Sequence, residues 1–202
     1  MKRCKNQMAF TLTELMVAMG IGMAMIAAVT TTFNSQTRVF SSQEQINEMQ
    51  QNARGAMDVI TRELKLAGYK NNDGTPPTGL TASGVNLDSS NLVIQADLDG
   101  NNVIDTSAGS LENISYSFDS ANNRIKRRLG SAASDVLSDN ITNFTFTYLK
   151  ADGTTATLAS QIRQIKIDIT AQTANPDPTH SANGGYRTFT ISETITPPNL
   201  AF

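Results

Sequence analysis

Cysteine occurs once, at Cys4, so no intrachain disulfide and no cysteine-ligated metal site is available. A basic excess is missing too. The 16 Lys and Arg stand against 18 Asp and Glu, a net charge of −2, and no global positive field exists to hold nucleic acid. Histidine is confined to His180, in the polar stretch Asn175 to Gly185, which reads as an exposed loop. No nucleophile, base and oxyanion site assemble around it or elsewhere, so the sequence is not read as that of an enzyme. Proline is absent from Met1 to Thr75. Lysine and glutamate are sparse, whereas serine, threonine and asparagine are abundant, which suits an extracellular β domain better than a cytosolic enzyme. The length, 202 residues, suffices for one medium domain, or for a smaller domain with a long appendage.

What charge there is lies unevenly. Lys2, Arg3 and Lys5 precede every acidic residue; taking these three from the 16 leaves 13 against 18, a net −5 for the remainder. Phe10 to Phe33 then runs almost wholly apolar or small. At about 1.5 Å per residue it spans roughly 36 Å, enough to cross a hydrocarbon core of about 30 Å. Basic residues before it and none after it until Arg38 place residues 1–9 in the cytoplasm and the rest outside. Glu14 interrupts the apolar run. A carboxylate there costs roughly 2.5–3.5 kcal/mol on insertion scales, and no Lys or Arg lies one helical turn away. Either Glu14 sits at headgroup level, or its partner is a cation from elsewhere. An ordinary signal peptide fits less well, because the apolar region is long, holds a glutamate, and has only a weak small-x-small site around Ala27-Ala28.

Met8-Ala9-Phe10-Thr11-Leu12-Thr13-Glu14-Leu15, behind a short basic leader, resembles the cleavage motif of type IV prepilins. The resemblance implies that a prepilin peptidase cuts between Ala9 and Phe10 and methylates the new Phe10 amine. It also implies that Glu14, then the fifth residue, neutralises that amine during subunit docking. Two positions depart from the pattern: Ala9 stands where glycine is usual, and Thr31 where many major pilins carry proline. After Phe33 the chain turns polar while helical spacing persists. Ile46, Met49, Ala53, Ala56, Ile60 and Ala67 form a stripe widened by Met57 and Leu64. The spacing predicts a helix from about residue 11 to 67, stopped at Gly68, its outer half laid on the chain's own sheet rather than in a coiled coil. Gln50 to Arg54 and Leu64 to Tyr69 resemble minor pilins of the PilW type and, less closely, the J-type pseudopilin of type II secretion.

The expected organisation is a leader (1–9), a transmembrane helix half (10–33), an amphipathic half (34–68), a connector (69–90) and a β-rich domain (91–202). Strands are expected at Asn91–Asp97, Glu112–Asp119, Asn122–Leu129, Ile141–Leu149, Gln161–Ala171 and Tyr186–Thr196, with hairpin turns at Asp119 to Asn123 and at Ala151-Asp152-Gly153. The fold class is therefore α+β: a long N-terminal helix packed on a mainly antiparallel sheet, as in pilins. Asp97, Asp99, Asn101 and Asp105 begin like a Ca²⁺ loop, but Ala108 stands where a bidentate glutamate belongs and the glycine comes early. An acidic hairpin turn built on Asp99-Gly100 is the plainer reading, and a weak Ca²⁺ site completed by another loop the sharper one. Arg124 to Arg128 is read first as a charge-protected edge strand and second as a docking surface for an acidic neighbour, with nucleic acid not expected.

The resulting expectation is a minor pilin, held single-pass in a bacterial inner membrane before joining a periplasmic or extracellular filament. Its partners would be the peptidase and, through the N-terminal helix, other pilins. A type II secretion pseudopilin is the alternative, and a membrane-anchored binding module that never polymerises is a third possibility.

Overall fold

The computed structural model describes residues 10–70, 76–81, 83–88 and 90–200. They form one α-helix, α1 (Leu12–Leu64), and seven strands. These are β1 (Asn91–Gln95), β2 (Asn113–Asp119), β3 (Arg124–Leu129), β4 (Asp135–Ser138), β5 (Ile141–Leu149), β6 (Gln164–Gln172) and β7 (Thr188–Ile195). The chain divides into two units, Met1–Glu44 and Gln45–Phe202. The leader with Ala9 lies outside the described residues.

In the first unit the apolar side chains of α1 stand exposed all round, from Leu12 through Met19 and Ile26 to Phe40. A helix apolar on every side needs lipid or other helices around it. With a mean hydropathy of 1.9, this one is long and apolar enough to cross a membrane.

In the second unit α1 is one-sided. Met49, Ala53, Ala56, Met57, Ile60 and Leu64 are buried, while Arg54, Asp58 and Arg62 are exposed. The small side chains at Ala53 and Ala56 let the helix approach closely, and Met57, Ile60 and Leu64 fill the core at roughly 1.5–3 kcal/mol each. Past Leu64 the turns tighten, with Ala67 N bonded to Leu64 O at 3.1 Å and Tyr69 N to Leu66 O at 3.0 Å. Gly68 takes φ 72°, and its N–H donates to Gln95 O at 2.9 Å. Asn199 Nδ2 satisfies the carbonyl of Ala67 at 3.3 Å.

The expected single sheet is two. One has the order β1-β2-β3-β4 and the other β5-β6-β7, all pairs antiparallel. Both contribute to one core with α1. Ile165, Ile167 and Ile169 of β6 are fully buried, beside Phe144 and Tyr148 of β5, and Ile114, Tyr116 and Ile125 of the other sheet. The Asp119 turn closes the β2–β3 hairpin, its carboxylate accepting Asn122 Nδ2 at 3.0 Å while Asn123 takes φ 53°. The Ala151-Asp152-Gly153 turn does less than expected. It returns the chain only to a single bridge between Leu149 and Thr155, and a 3₁₀ turn at Ala159–Gln161 then leads to β6. β4 carries no alternation that announces it.

The helix is tied to both sheets by polar groups. Glu63 accepts hydrogen bonds from the Tyr116 hydroxyl and the Arg127 guanidinium, with Arg127 Nε at 3.2 Å. Two residues earlier, Thr61 Oγ1 donates to Glu193 of β7 at 3.3 Å. Burial, and then the Glu63 carboxylate, push the Tyr116 hydroxyl far above its usual range. Glu63→Ala strands both Tyr116 and Arg127, and should cost about 2–3 kcal/mol. The exposed Glu48→Ala should stay within about 0.5 kcal/mol of the parent. Urea melts of the full chain in detergent micelles check this, and equal midpoints for the two variants would show that the network adds nothing.

Candidate functional site

Two places in the chain concentrate polar groups where the sequence expects function: the start of α1 and the loop after β1. At the start of α1, Thr11 is the N-cap. Glu14 N donates to Thr11 Oγ1 at 3.2 Å, and Glu14 Oε2 accepts Thr11 N at 3.1 Å. This reciprocal pair is a capping box. It gives Glu14 an intrachain role beside the expected docking one, and Thr11-x-x-Glu14 is its sequence signature. Phe10, directly before it, is 86% exposed. Further along, Thr30, Thr32 and Thr37 donate their hydroxyls to Ile26 O, Ala28 O and Phe33 O at 2.8, 2.9 and 3.0 Å. Hydroxyls satisfied within the helix are tolerated in an apolar surrounding.

In the loop after β1, Asp97 is fully buried. Its Oδ1 accepts Gly100 N at 2.9 Å and its Oδ2 accepts Asn102 N at 3.0 Å. Glu112, 6% exposed, accepts Leu98 N at 2.8 Å and Asp99 N at 3.1 Å on one oxygen, and Asp105 N at 2.8 Å on the other. Asp97, Asp99 and Glu112 offer carboxylate oxygens within 4.8 Å of one another. Of the four expected ligands, Asp97 and Asp99 are therefore brought together. Asn101 stays beside Asp99, its Nδ2 donating to that carboxylate at 2.8 Å, while Asp105 accepts the N–H and hydroxyl of Ser107, both at 2.8 Å. The Ser107 bonds hold the Asp105 carboxyl below its usual range. Glu112 was invisible in the loop's spacing, because it arrives from the residue before β2 once the loop closes.

The basic strand is not an edge. β3 lies between β2 and β4, and three of its four cations are paired with carboxylates from other segments, while Arg128 Nε donates to Ser115 Oγ at 3.2 Å. Arg124 pairs with Asp139 and Lys126 with Asp119, each at 2.6 Å, while Arg127 turns to the opposite face and meets Glu63. Lys126, and then Asn122, hold Asp119 at about 2. His180 is half-buried rather than exposed as expected, and its main-chain N–H donates to Asp177 O at 2.9 Å.

Comparison with known proteins adds to this geometry. The family model described as prepilin peptidase-dependent protein B matches residues 42–193. The model of the prokaryotic N-terminal methylation motif matches residues 4–30. Among solved structures, a type IV-like pilin from Thermus thermophilus is similar at 12% identity and a TM-score of 0.42, over 72% of this chain and 95% of that chain. No curated protein sequence matches.

Proposed function

The chain belongs to the prepilin peptidase-dependent protein B family, and we propose that it acts as a minor pilin, a structural subunit that primes or joins a type IV pilus after its leader is removed. What carries this reading is the presence in one chain of the methylation motif at residues 4–30 and the protein B region at 42–193. The matched family is protein B rather than PilW. In the proposed sequence of events the leader stays cytoplasmic and the apolar part of α1 holds the subunit in the inner membrane. The peptidase then cuts between Ala9 and Phe10 and methylates Phe10. The exposed apolar helix afterwards exchanges lipid for the helices of neighbouring pilins.

The test is co-expression with a prepilin peptidase, followed by intact-mass measurement. The expected product starts at a methylated Phe10, and Ala9→Gly should be cut at least as fast. An uncut chain, or a cut near Ala28, would overturn the filament role. In the native host, a deletion strain that keeps pili and twitching but loses exoprotein secretion would reassign the subunit to a type II secretion filament.

Calcium is a separate proposal. In the folded loop its carboxylate ligands are Asp97, Asp99 and Glu112. Binding only the folded state raises stability by mass action. The full chain in micelles should then melt higher in millimolar Ca²⁺ than in EDTA. Equal melting temperatures leave the loop as a hydrogen-bonded turn and end the proposal.

A further inference from the structure

The two sheets present four outer edges, and three are managed. β1 is covered by the segment before it: Gln95 N donates to Gly84 O at 2.7 Å and Asn86 N to Val93 O at 3.3 Å. β4 is four residues long, begins at Asp135 and is followed by Asp139, and its register with β3 is broken by a bulge. β5 is occupied at both ends, by Asn123 O on Ile141 N and by the returning residues 154–156.

β7 differs. It runs eight residues in unbroken register with β6, without proline, lysine or bulge. Among the described residues no main-chain hydrogen bond reaches Thr188–Ile195 from anywhere but β6. An antiparallel strand bonds one neighbour through alternate residues and points the remaining N–H and C=O groups outward. A long, unbroken, open edge of this kind is a template for a further strand.

The surroundings of that edge say what kind of strand fits. α1 runs beside β7 in the same direction, since Arg54 lies over the Phe189 ring at 5.8 Å and Thr61 bonds Glu193. At the start of β7 a cavity of about 300 Å³ opens between Ile46, Met49 and Phe189, with His180 and Arg187 at its rim. No carboxylate lines it. Arg187 is paired with Asp177, but among the described residues Arg54 meets no carboxylate. The helix rises about 1.5 Å per residue, so Arg54 stands roughly 6 Å beyond Gln50 and roughly 7.5 Å beyond Met49. Two residues of a β-strand cover about the same distance, on the same face.

We propose that the outer edge of β7 is a strand-addition site for an extended segment of a second protein. The added strand runs antiparallel to β7, sets a carboxylate beside Arg54 and, two residues later, places an apolar side chain in the cavity lined by Ile46, Met49 and Phe189. Main-chain bonds supply the docking and the two side chains select the partner. A second copy of this chain fits poorly. Its β7 carries Glu193-Thr194-Ile195, but Ile195 is 4% exposed in its own core and cannot enter another cavity. The proposal goes beyond the filament role, and its test reads binding at β7 alone.

The probe is a synthetic peptide of alternating threonine and valine that carries glutamate and, two residues later, leucine. It is titrated into the full chain in micelles, with fluorescence anisotropy and amide exchange as readouts. Saturable binding and slowed exchange at alternate amides of Thr188–Ile195 are expected. Arg54→Glu should weaken binding roughly tenfold or more, and a lysine-for-glutamate peptide should regain affinity on that variant. Arg54→Gln replaces it if the glutamate alters the melting curve. Unchanged exchange in β7, or affinity indifferent to Arg54, overturns the proposal. So does a peptide-free chain that self-associates through β7.

Discussion

Gly84→Ala is expected to leave little folded protein, although it adds only one methyl group, in the buried connection that leads to β1. Gly84 takes φ 65°, a left-handed backbone that costs an alanine about 1–2 kcal/mol. The larger effect is steric. A Cβ at Gly84 would lie 2.1 Å from Gly68 N, 2.4 Å from Gly68 Cα and 2.8 Å from Gln95 O. All three are main-chain atoms, so no rotamer relieves the overlap. These are also the atoms that join the end of α1 to β1, since Gly68 N bonds Gln95 O at 2.9 Å and Gln95 N bonds Gly84 O at 2.7 Å. The substitution therefore either parts the helix end from the sheet or moves both. A loss beyond about 4–5 kcal/mol belongs to this class of change, against a total stability of about 5–15 kcal/mol. Gly153→Ala is the control. Gly153 has φ 80° but nothing within 4 Å of the added carbon, so it should lose only the backbone cost of about 1–2 kcal/mol, or roughly 2–8 °C in melting temperature. Thermal melts of both full-length variants in micelles separate strain from overlap. If the two melt together, the close approach of Gly84 to Gly68 is not what holds the helix end.

That contact also shows where the sequence stops being informative. Gly68 was legible as a helix stop, because polar residues, glycines and prolines follow it. The main-chain neighbour that makes Gly84 irreplaceable comes from 16 positions away and leaves no local signal. The stripe from Met49 to Leu64 was readable because burial on one side forces a period near 3.6. Ile165, Ile167 and Ile169 were readable because a strand with one buried face forces a period of two.

What could not be read is how strands choose neighbours. β3 looked like a charged edge, yet it is internal, since Asp119, Asp139 and Glu63 reach it from three separate segments. The split into two sheets follows from the same long-range choice. β4 was missed because Asp135–Ser138 is too short to show a period. Glu112 joins the Asp97 loop only through the fold. Thr11 is a different case, because Thr11-x-x-Glu14 carries the local signature of a capping box.

The capping box sharpens what Glu14→Gln should do. Glutamine at this helix position can still accept the Thr11 N–H, so the helix start is preserved while the charge is removed. Insertion and cleavage at Ala9–Phe10 need only the leader, the apolar run and the residues around the cut, and should proceed. The difference arises during assembly. In the proposed filament, α1 leaves lipid for a core of other helices, where the new Phe10 amine of one subunit needs an anion. A charge-assisted hydrogen bond contributes about 1.5–3 kcal/mol, and leaving its partner buried and unpaired costs at least as much. Incorporation of processed Glu14→Gln subunits should therefore fall roughly ten- to a hundredfold. Thr11→Ala makes the opposite change. It removes the N-cap hydroxyl, at about 1 kcal/mol of helix stability, and leaves the carboxylate free to meet the amine, so incorporation should hold near the parent level. The measurement is the ratio of cleaved protein in sheared filaments to cleaved protein in membranes, for the parent and both variants. If Thr11→Ala fails and Glu14→Gln does not, Glu14 serves the helix start and not the neighbouring subunit. If both incorporate like the parent, the docking role is withdrawn and the anion for the Phe10 amine must come from another chain.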